Sequence, residues 1–520
     1  MGFSADISYQ VRFVLSNLES GHFKKLLIGV TLVLWGATVT RGLYNVTLHP
    51  LANFPGPFWA GLTPWWKTYE EFWIGTSMLH RYRELHAKHG PVIRISPNEL
   101  SFGGPILAYD EIYNARFDKD LAWQKNLGTQ HSTFGRPTVS EAKRRRDLLL
   151  PFFSRRSILA LEHVVQEKTD ILIAKLLRQH EEGVVSDLHL GYSCYTVDII
   201  TDFCFAQSAE ALSFPDFHAP LVDALLALAD SWSAMKHFPI LQKINSLPTW
   251  LSLRIAPAMK GFVEYQTNLQ TQINDLIANP YKLKEASHAI IYETLLAENK
   301  EQGTPLTFVE LDHEAQSLVA AGVDTTMVTL VTGTYELLKK PEMAAKLRLE
   351  LKYAWPSLHG RPLGLEALER LPYLAAVIKE SLRTAPHITA GFPRIVPDGG
   401  KEIGGVFVPG GAKVSMSVLF PHNDPTIFAD PQEFKPERWL LSSKETTELE
   451  QFLVPFSHGP RACLGRPLAY AELFLAFANV FRKIDLQLTE TTPYNMEWKD
   501  NLVAHYPNGH LRARARRVQN

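Results

Sequence analysis

Cysteine is scarce in this chain: Cys194, Cys204 and Cys463 are the only three among 520 residues. An odd number at wide spacing, with no C-x-x-C pair, excludes a disulfide framework and a zinc knuckle and fits a reducing compartment. A surplus of one charge is missing too. The 53 Lys and Arg against 54 Asp and Glu leave a formal net charge of −1, so no nucleic-acid partner is expected. From the proline-rich stretch that ends at Pro57 to about residue 515 there is no low-complexity tract, no repeat and no evident linker. That removes solenoids and disordered chains from the classes to consider. What is present is ordinary globular composition, 46% hydrophobic and 21% charged, enough to bury a large core. By length alone the prior is about three domains, but one large single-core fold also reaches this size.

Long apolar runs are absent with one exception. Residues 26–39 read LLIGVTLVLWGATV without a charge, behind Lys24 and Lys25. A span over residues 24–44 just reaches the ~20 residues a bilayer needs if both ends snorkel. A buried helix and a cleaved signal are the alternatives. The long segment ahead of the run and the want of an A-x-A site speak against cleavage. The expected organisation is an N-terminal segment (1–23), a transmembrane anchor (24–44), a Pro-rich connector (45–57) and one large domain (58–520). The connector contains His49-Pro50-Leu51-Ala52-Asn53-Phe54-Pro55-Gly56-Pro57. Proline fixes φ and resists helix, so this stretch is stiff and sets how the body sits on the membrane. Basic residues flank both ends of the apolar run, so charge does not decide its orientation. The one N-x-S/T sequon, Asn45-Val46-Thr47, lies against the membrane and is not expected to carry a glycan.

Helical periodicity dominates the remainder, with short strand-like stretches at 92–95, 406–408 and 413–418; the fold class is mainly α with small β-sheets. A helix opening at Thr307, with Glu310 completing a capping box, is expected to run to about Lys340, ahead of Pro341. Its interior holds Ala320-Ala321-Gly322-Val323-Asp324-Thr325-Thr326. Gly, Asp and paired Thr are locally unfavourable inside an apolar helix, and such a conflict often marks a functional site. The plain alternative is a kink with a satisfied threonine. A second helix opens at Pro372 and closes before Pro386, with Glu380 and Arg383 on one face. A third starts just after Cys463.

Cys463 stands in Phe456-Ser457-His458-Gly459-Pro460-Arg461-Ala462-Cys463-Leu464-Gly465. A cysteine at the mouth of a helix meets unpaired N–H groups and the positive end of the dipole, which favour thiolate over thiol. Arg461 adds positive charge, and Gly459 and Gly465 let a flat, bulky ligand come close to the backbone. A shielded thiolate is a suitable axial donor to haem iron, where its electron push favours O–O cleavage. The plain reading is a buried structural cysteine in a Gly-Pro turn.

This segment resembles the haem-binding loop of the cytochrome P-450 family, FxxGxRxCxG, at every fixed position. The likeness extends from about Pro55 to the C-terminal region, with the motifs in the family's order. The resemblance implies the P-450 fold, one large catalytic domain behind the anchor. It implies Cys463 as the iron ligand, Phe456 near the sulfur and Arg461 on a haem propionate. Glu380 and Arg383 match the family's ExxR pair. Phe434-Lys435-Pro436-Glu437-Arg438-Trp439 is similar to its PERF/PERW segment, so Arg438 completes a buried Glu–Arg–Arg network of structural role. Residues 321–326 resemble the oxygen-binding groove, where Gly322 loosens the helix and Asp324 and Thr325 form an acid–alcohol pair that delivers protons to dioxygen. Arg394 and Arg146 stand where the family places further propionate-binding cations. The aromatic or histidine expected four residues before Arg146 is Ala142 here, a departure from the pattern. For each arginine a solvated surface charge is the plain alternative. His422 and His458 are given no ligand role.

Residues 44–52 and Pro421-His422-Asn423-Asp424-Pro425 resemble fungal membrane-bound P-450s of secondary metabolism, the trichodiene oxygenase-like members among them. That resemblance implies a single-pass monooxygenase of the endoplasmic reticulum membrane, with a cytosolic catalytic domain and a lumenal N-terminus. Its cofactor is haem (heme, iron protoporphyrin) on Cys463. NADPH electrons arrive through a separate FAD/FMN protein, the NADPH–cytochrome P-450 reductase, and one atom of O2 enters the substrate. The basic run from Lys143 to Arg146, with Arg155 and Arg156, offers a positive face for that acidic partner, or a solvated helix face. Ile388, Ala390 and Phe392, with residues 318–321, 387–391 and 123–138, suggest an apolar cavity. A small terpenoid, polyketide or indole-derived skeleton, hydroxylated or epoxidised there, is the expectation by analogy of fold. Desaturation, ring rearrangement or oxidative coupling at the same centre is the alternative reaction. A haem-binding membrane protein without catalysis is the alternative of another class.

Overall fold

The computed structural model describes residues 21–104, 106–238, 249–255, 257, 260–284, 288–297 and 306–518. Its principal helices are α1 (Gly21–Thr47), α2 (Val139–Leu149), α3 (Arg155–Glu181), α4 (Leu188–Phe205), α5 (Pro220–His237), α6 (Phe308–Lys339), α7 (Pro372–Thr384) and α8 (Arg466–Lys483). The strands are short. A mixed sheet takes β1 (Val92–Ser96), β2 (Glu99–Phe102), β3 (Asp118–Lys119), β5 (Arg394–Ile395) and β8 (Lys413–Ser415), in the order β1-β2-β8-β5-β3. A second holds β4 (Ser186–Asp187), β9 (Ile484–Leu488) and β12 (Arg512–Arg517); two hairpins are β6 (Lys401–Ile403) with β7 (Val406–Val408), and β10 (Lys499–Asn501) with β11 (Val503–His505).

Local chemistry sets the boundaries. Thr307 and Glu310 cap each other at the start of α6, which stops short of Pro341. Pro372 opens α7, and the extended Ala385 before Pro386 closes it. Asp187 caps α4 by accepting from the Leu190 N–H at 3.0 Å. Helix α4 is apolar around nearly its whole circumference and is buried to match. It crosses α6, which also packs on α7 and α8, while α3 packs on α8. These five helices supply most of the main core, and a separate apolar cluster lies under the mixed sheet. The expected strand at 413–418 is shorter than its pattern, because Val418 becomes the cap of a short helix, Leu419–His422.

Helix α1 runs past residue 44 to Thr47. Its end is tied to the body: Asn45 Nδ2 donates to the Leu62 carbonyl at 3.0 Å, and Arg94 Nη2 donates to the Asn45 carbonyl at 2.9 Å. Asn45 is buried, so its amide is engaged rather than presented as a glycan acceptor. The connector is fastened likewise, with the Arg94 N–H donating to the Pro55 carbonyl and Leu51 fully buried. Among the described residues α1 is the one helix long and apolar enough to cross a membrane, over Lys24–Thr47. Leu26, Ile28, Leu32, Val33 and Trp35 are all exposed on it.

Candidate active site

Residues 456–465 form the turn that leads into α8. The Cys463 N–H donates to the Phe456 carbonyl at 2.8 Å and closes the loop. Gly459 has φ 72°, and a Cβ there would fall 2.4 Å from the Tyr113 carbonyl. Glycine is needed so that the loop can pass the backbone at Tyr113. At Gly465 a Cβ would stand in ordinary contact, 3.9 Å from Cys463 Sγ.

Cys463 is exposed, yet the protein around it desolvates it strongly. Its open face therefore points into the molecule and not to bulk water. Burial pushes the thiol up, while N–H groups of Gly465 and Arg466 and the charges of Arg146 and Arg466 pull it down. The helix-mouth donors foreseen from sequence are present. The foreseen cation is a different one: Arg461 lies with Arg394 and Arg146, and Arg146 is the guanidinium beside the sulfur, its Nη1 donating to the Ala462 carbonyl at 2.7 Å. A coordinating cation deprotonates a thiol outright and removes the burial penalty on the charged sulfur. Cys194 and Cys204 are fully buried, with burial raising Cys194 to about 12 and Cys204 strongly as well; neither is suited to be a ligand.

Arg394, Arg461 and Arg146 form a cluster of like charge. Burial, Arg394 and Arg146 together pull Arg461 down to about 10. Arg394 is buried on β5 beneath the Tyr113 ring, and its Nη1 has no hydrogen-bond partner among the described residues. A buried cation with an unused donor fits an anion. A sulfur donor open to the interior, beside guanidinium groups able to take carboxylates, fits a haem with its propionates. Ala142 is itself buried and offers no polar group, but Arg146, one turn on, reaches the loop without it. Phe456 stacks against Tyr470, ring centres 5.3 Å apart, with Arg466 over its face.

Glu380 and Arg383 on α7 are wholly buried. Arg383 donates Nε to Glu380 Oε2 at 3.0 Å and Nη2 to Oε1 at 2.7 Å, a bidentate pair. Its other donors reach the carbonyls of His422, Pro431 and Glu433, so all five guanidinium N–H groups are used. Arg438 Nε donates to Glu380 Oε1 at 3.1 Å, as the family likeness implies. The carboxylate also takes the Lys435 N–H and Trp439 Nε1, both at 2.9 Å. The network is structural: it pins the 429–439 meander to α7. His422 is buried within it, accepting from the Val454 N–H, and His458 pairs with Asp110.

Helix α6 runs unbroken through residues 321–326. A Cβ on Gly322 would stand 2.8 Å from Ile200 Cγ1 of α4. Gly322 thus permits the close crossing of two helices, and the expected local loosening is not seen. Ala321 is exposed, and Asp324 and Thr325 are half-buried, at the middle of a helix that runs through the core. Thr325 donates its hydroxyl to the Ala321 carbonyl at 2.8 Å. Burial pushes Asp324 up to about 7.

The Cytochrome P450 family model matches residues 60–512. The chain belongs to the cytochrome P-450 family. Among its relatives, the cytochrome P450 monooxygenase macH of Penicillium terrestre is 33% identical over 474 residues, 90% of this chain and 92% of its own length. The cytochrome P450 monooxygenase flvC of Aspergillus flavus is 30% identical over 97% of this chain and 98% of its own. The cytochrome P450 monooxygenase orf6 of Eupenicillium brefeldianum is 32% identical over 86% and 91%. A P-450 is an oxidoreductase with haem iron held by a cysteine thiolate. It uses O2 and a redox partner to oxidise a small organic molecule, and this chain is such a monooxygenase.

Two buried polar features escaped the sequence. Glu472 on α8 is 2% exposed, hydrogen-bonds the buried Thr326 of α6, and is raised far above the ordinary carboxylate range by burial. An acid inside the apolar run from Leu468 to Phe474 was the available signal. Trp439 as a donor to Glu380 carried none, since a tryptophan in a loop is more often plain packing.

Proposed function

We propose that this P-450 is a membrane-anchored monooxygenase of secondary metabolism, with Cys463 as the axial haem ligand and Arg461, Arg394 and Arg146 on the propionate side. The observation that carries the reading is the accessible yet desolvated Cys463 near a cluster of three guanidinium groups, one of which, the buried Arg394, has an unpartnered Nη1. When bound, the haem supplies the activation of O2. Asp324 and Thr325 supply protons. A carboxyl group near 7 gives and regains a proton readily at cellular pH, and the Thr325 hydroxyl rotates from the Ala321 carbonyl to pass it on. The sign follows: Asp324 is a donor below its pKa and ceases to be one as pH rises through 7. Asp324→Asn should slow product formation by about 100-fold, the scale of general-acid catalysis, and flatten the pH profile near neutrality. A variant with an unchanged profile removes Asp324 from the relay.

Residues 58–520 are proposed as the catalytic domain behind the anchor and connector, on the cytosolic side of the endoplasmic reticulum membrane. The support is α1, with apolar side chains exposed along its length, and the exposed Phe58, Trp59, Trp65, Phe72 and Trp73 beside its end. Tryptophan favours the membrane–water boundary. Protein lacking residues 1–47 should still sediment with lipid vesicles, and adding Trp59→Ser, Trp65→Ser and Trp73→Ser should leave it in the supernatant, since each buried aromatic contributes about 2 kcal/mol. Equal sedimentation of both forms rules the patch out as a contact.

NADPH electrons are proposed to arrive through an acidic FAD/FMN reductase. Lys143, Arg144 and Arg156 are exposed on that face, Lys143 while paired with Asp147. Arg145 is buried against Glu310, and Arg155 is bidentate to Glu369, so they contribute less. Apolar walls support a terpenoid, polyketide or indole-derived substrate: Trp123 and Phe134 both meet Phe392 edge-on, at 5.4 and 5.6 Å. Deletion of the gene with metabolite profiling tests the whole reading. A precursor should accumulate and an oxygenated product, labelled from 18O2 in the parent strain, should vanish; an unchanged profile refutes it.

A further inference from the structure

Lys119 stands between two acids in Asp118-Lys119-Asp120. The fold places it on the short strand β3 with only 4% of its surface exposed. Directly across the antiparallel pair β3–β5, its register partner is Arg394. Like charges opposite each other in a strand pair repel, and burial sharpens the repulsion. Burial, with Arg461 and Arg394 as the neighbouring cations, holds the lysine well below its ordinary pKa.

The surrounding carboxylates relieve this only in part, Asp118 and Glu141 acting on Arg461 from exposed positions. Asp120 is committed to Lys413 and the Ala122 N–H, and Glu310 takes Arg136 and Arg145. Asp118 is exposed. Among the described residues no ion pair reaches Lys119, Arg394 or Arg461. Lys119 Nζ donates to the Phe134 carbonyl at 2.6 Å and lies 3.7 Å over the Phe134 ring, which leaves it further N–H donors. A free guanidinium nitrogen on Arg394 faces the same problem. An anion between them would relieve the repulsion and use the spare donors of both.

We propose that Lys119 is a further haem-propionate ligand, supplying from β3 the contact that position 142 cannot make as alanine. The proposal rests on the haem-thiolate reading and assigns Lys119 to the propionate side that Arg394 and Arg461 flank. Two strands hold the lysine and Arg394 in register on one face of the sheet, where both charges could serve one carboxylate.

The test uses the haem-loaded full chain. Lys119→Gln keeps an N–H donor for the Phe134 carbonyl and removes the charge; Lys119→Arg keeps the charge. Haem transfer to apomyoglobin should be about tenfold faster from Lys119→Gln, the scale of one charge-assisted hydrogen bond, and close to wild type from Lys119→Arg. The propionate-bending bands in the resonance Raman spectrum should shift in the first and return in the second. Wild-type transfer rates with unmoved bands in Lys119→Gln overturn the proposal. So does failure of both variants to load haem, since lysine would then be needed for packing. If only Lys119→Arg loads haem, the proposal is supported. The reduced, carbon-monoxide-treated wild type is measured alongside: loss of its thiolate-type Soret band refutes the haem-thiolate reading itself, a separate result.

Discussion

Cys463→Ser should abolish the thiolate-type Soret band of the reduced, carbon-monoxide-treated protein and reduce O2-dependent turnover below detection. The sulfur is a soft donor and its electron push favours O–O cleavage; a serine hydroxyl is harder and far less acidic. The effect should be chemical and not a failure of folding. The loop is closed by a backbone bond from Cys463 to Phe456, which serine keeps, and the cysteine side chain is exposed to the interior rather than buried in packing. Thermal unfolding of the haem-free forms should therefore agree within a few degrees, ~1 kcal/mol or less. A serine variant that retained both band and turnover would remove Cys463 from the iron.

Arg383→Lys should leave little haem-loaded protein. Arginine presents five donors in a fixed plane, and all five are satisfied here; lysine has three on a flexible stem. The change strands the bidentate carboxylate of Glu380 and the carbonyls of His422, Pro431 and Glu433. Breaking a buried pair costs about 3–5 kcal/mol, a large share of the roughly 5–15 kcal/mol that a domain has in total. Glu380→Gln should be as damaging, because Arg383 and Arg438 would then face each other without their carboxylate. The measurement is haem content per folded protein together with the unfolding midpoint. Normal values in both would show that the meander holds without this network.

The parts that were legible are those whose geometry closes within a few residues. Cys463 and Phe456 meet across one turn; Glu380 and Arg383 share a helix face; Thr307 and Glu310 cap each other. Spacing encodes such contacts directly. Two glycines depend on distant chain, Gly322 on Ile200 and Gly459 on Tyr113. Their residue type signalled a close approach but not what approaches. Arg461 was expected near the sulfur because it is adjacent in sequence, yet the turn sends it to Arg394 and leaves Arg146 beside Cys463.

By itself the sequence determined the mainly helical class, the apolar N-terminal run, the cysteine able to serve as a ligand, and the acid–alcohol pair on the long helix. Each is written in composition or short-range spacing. Tertiary structure alone decided which cations crowd together, that Asp324 sits in surroundings dry enough to bring it to about 7, and that Lys119 is buried opposite Arg394. Desolvation and charge–charge repulsion depend on what the rest of the chain places within a few ångströms, and no local pattern carries that information.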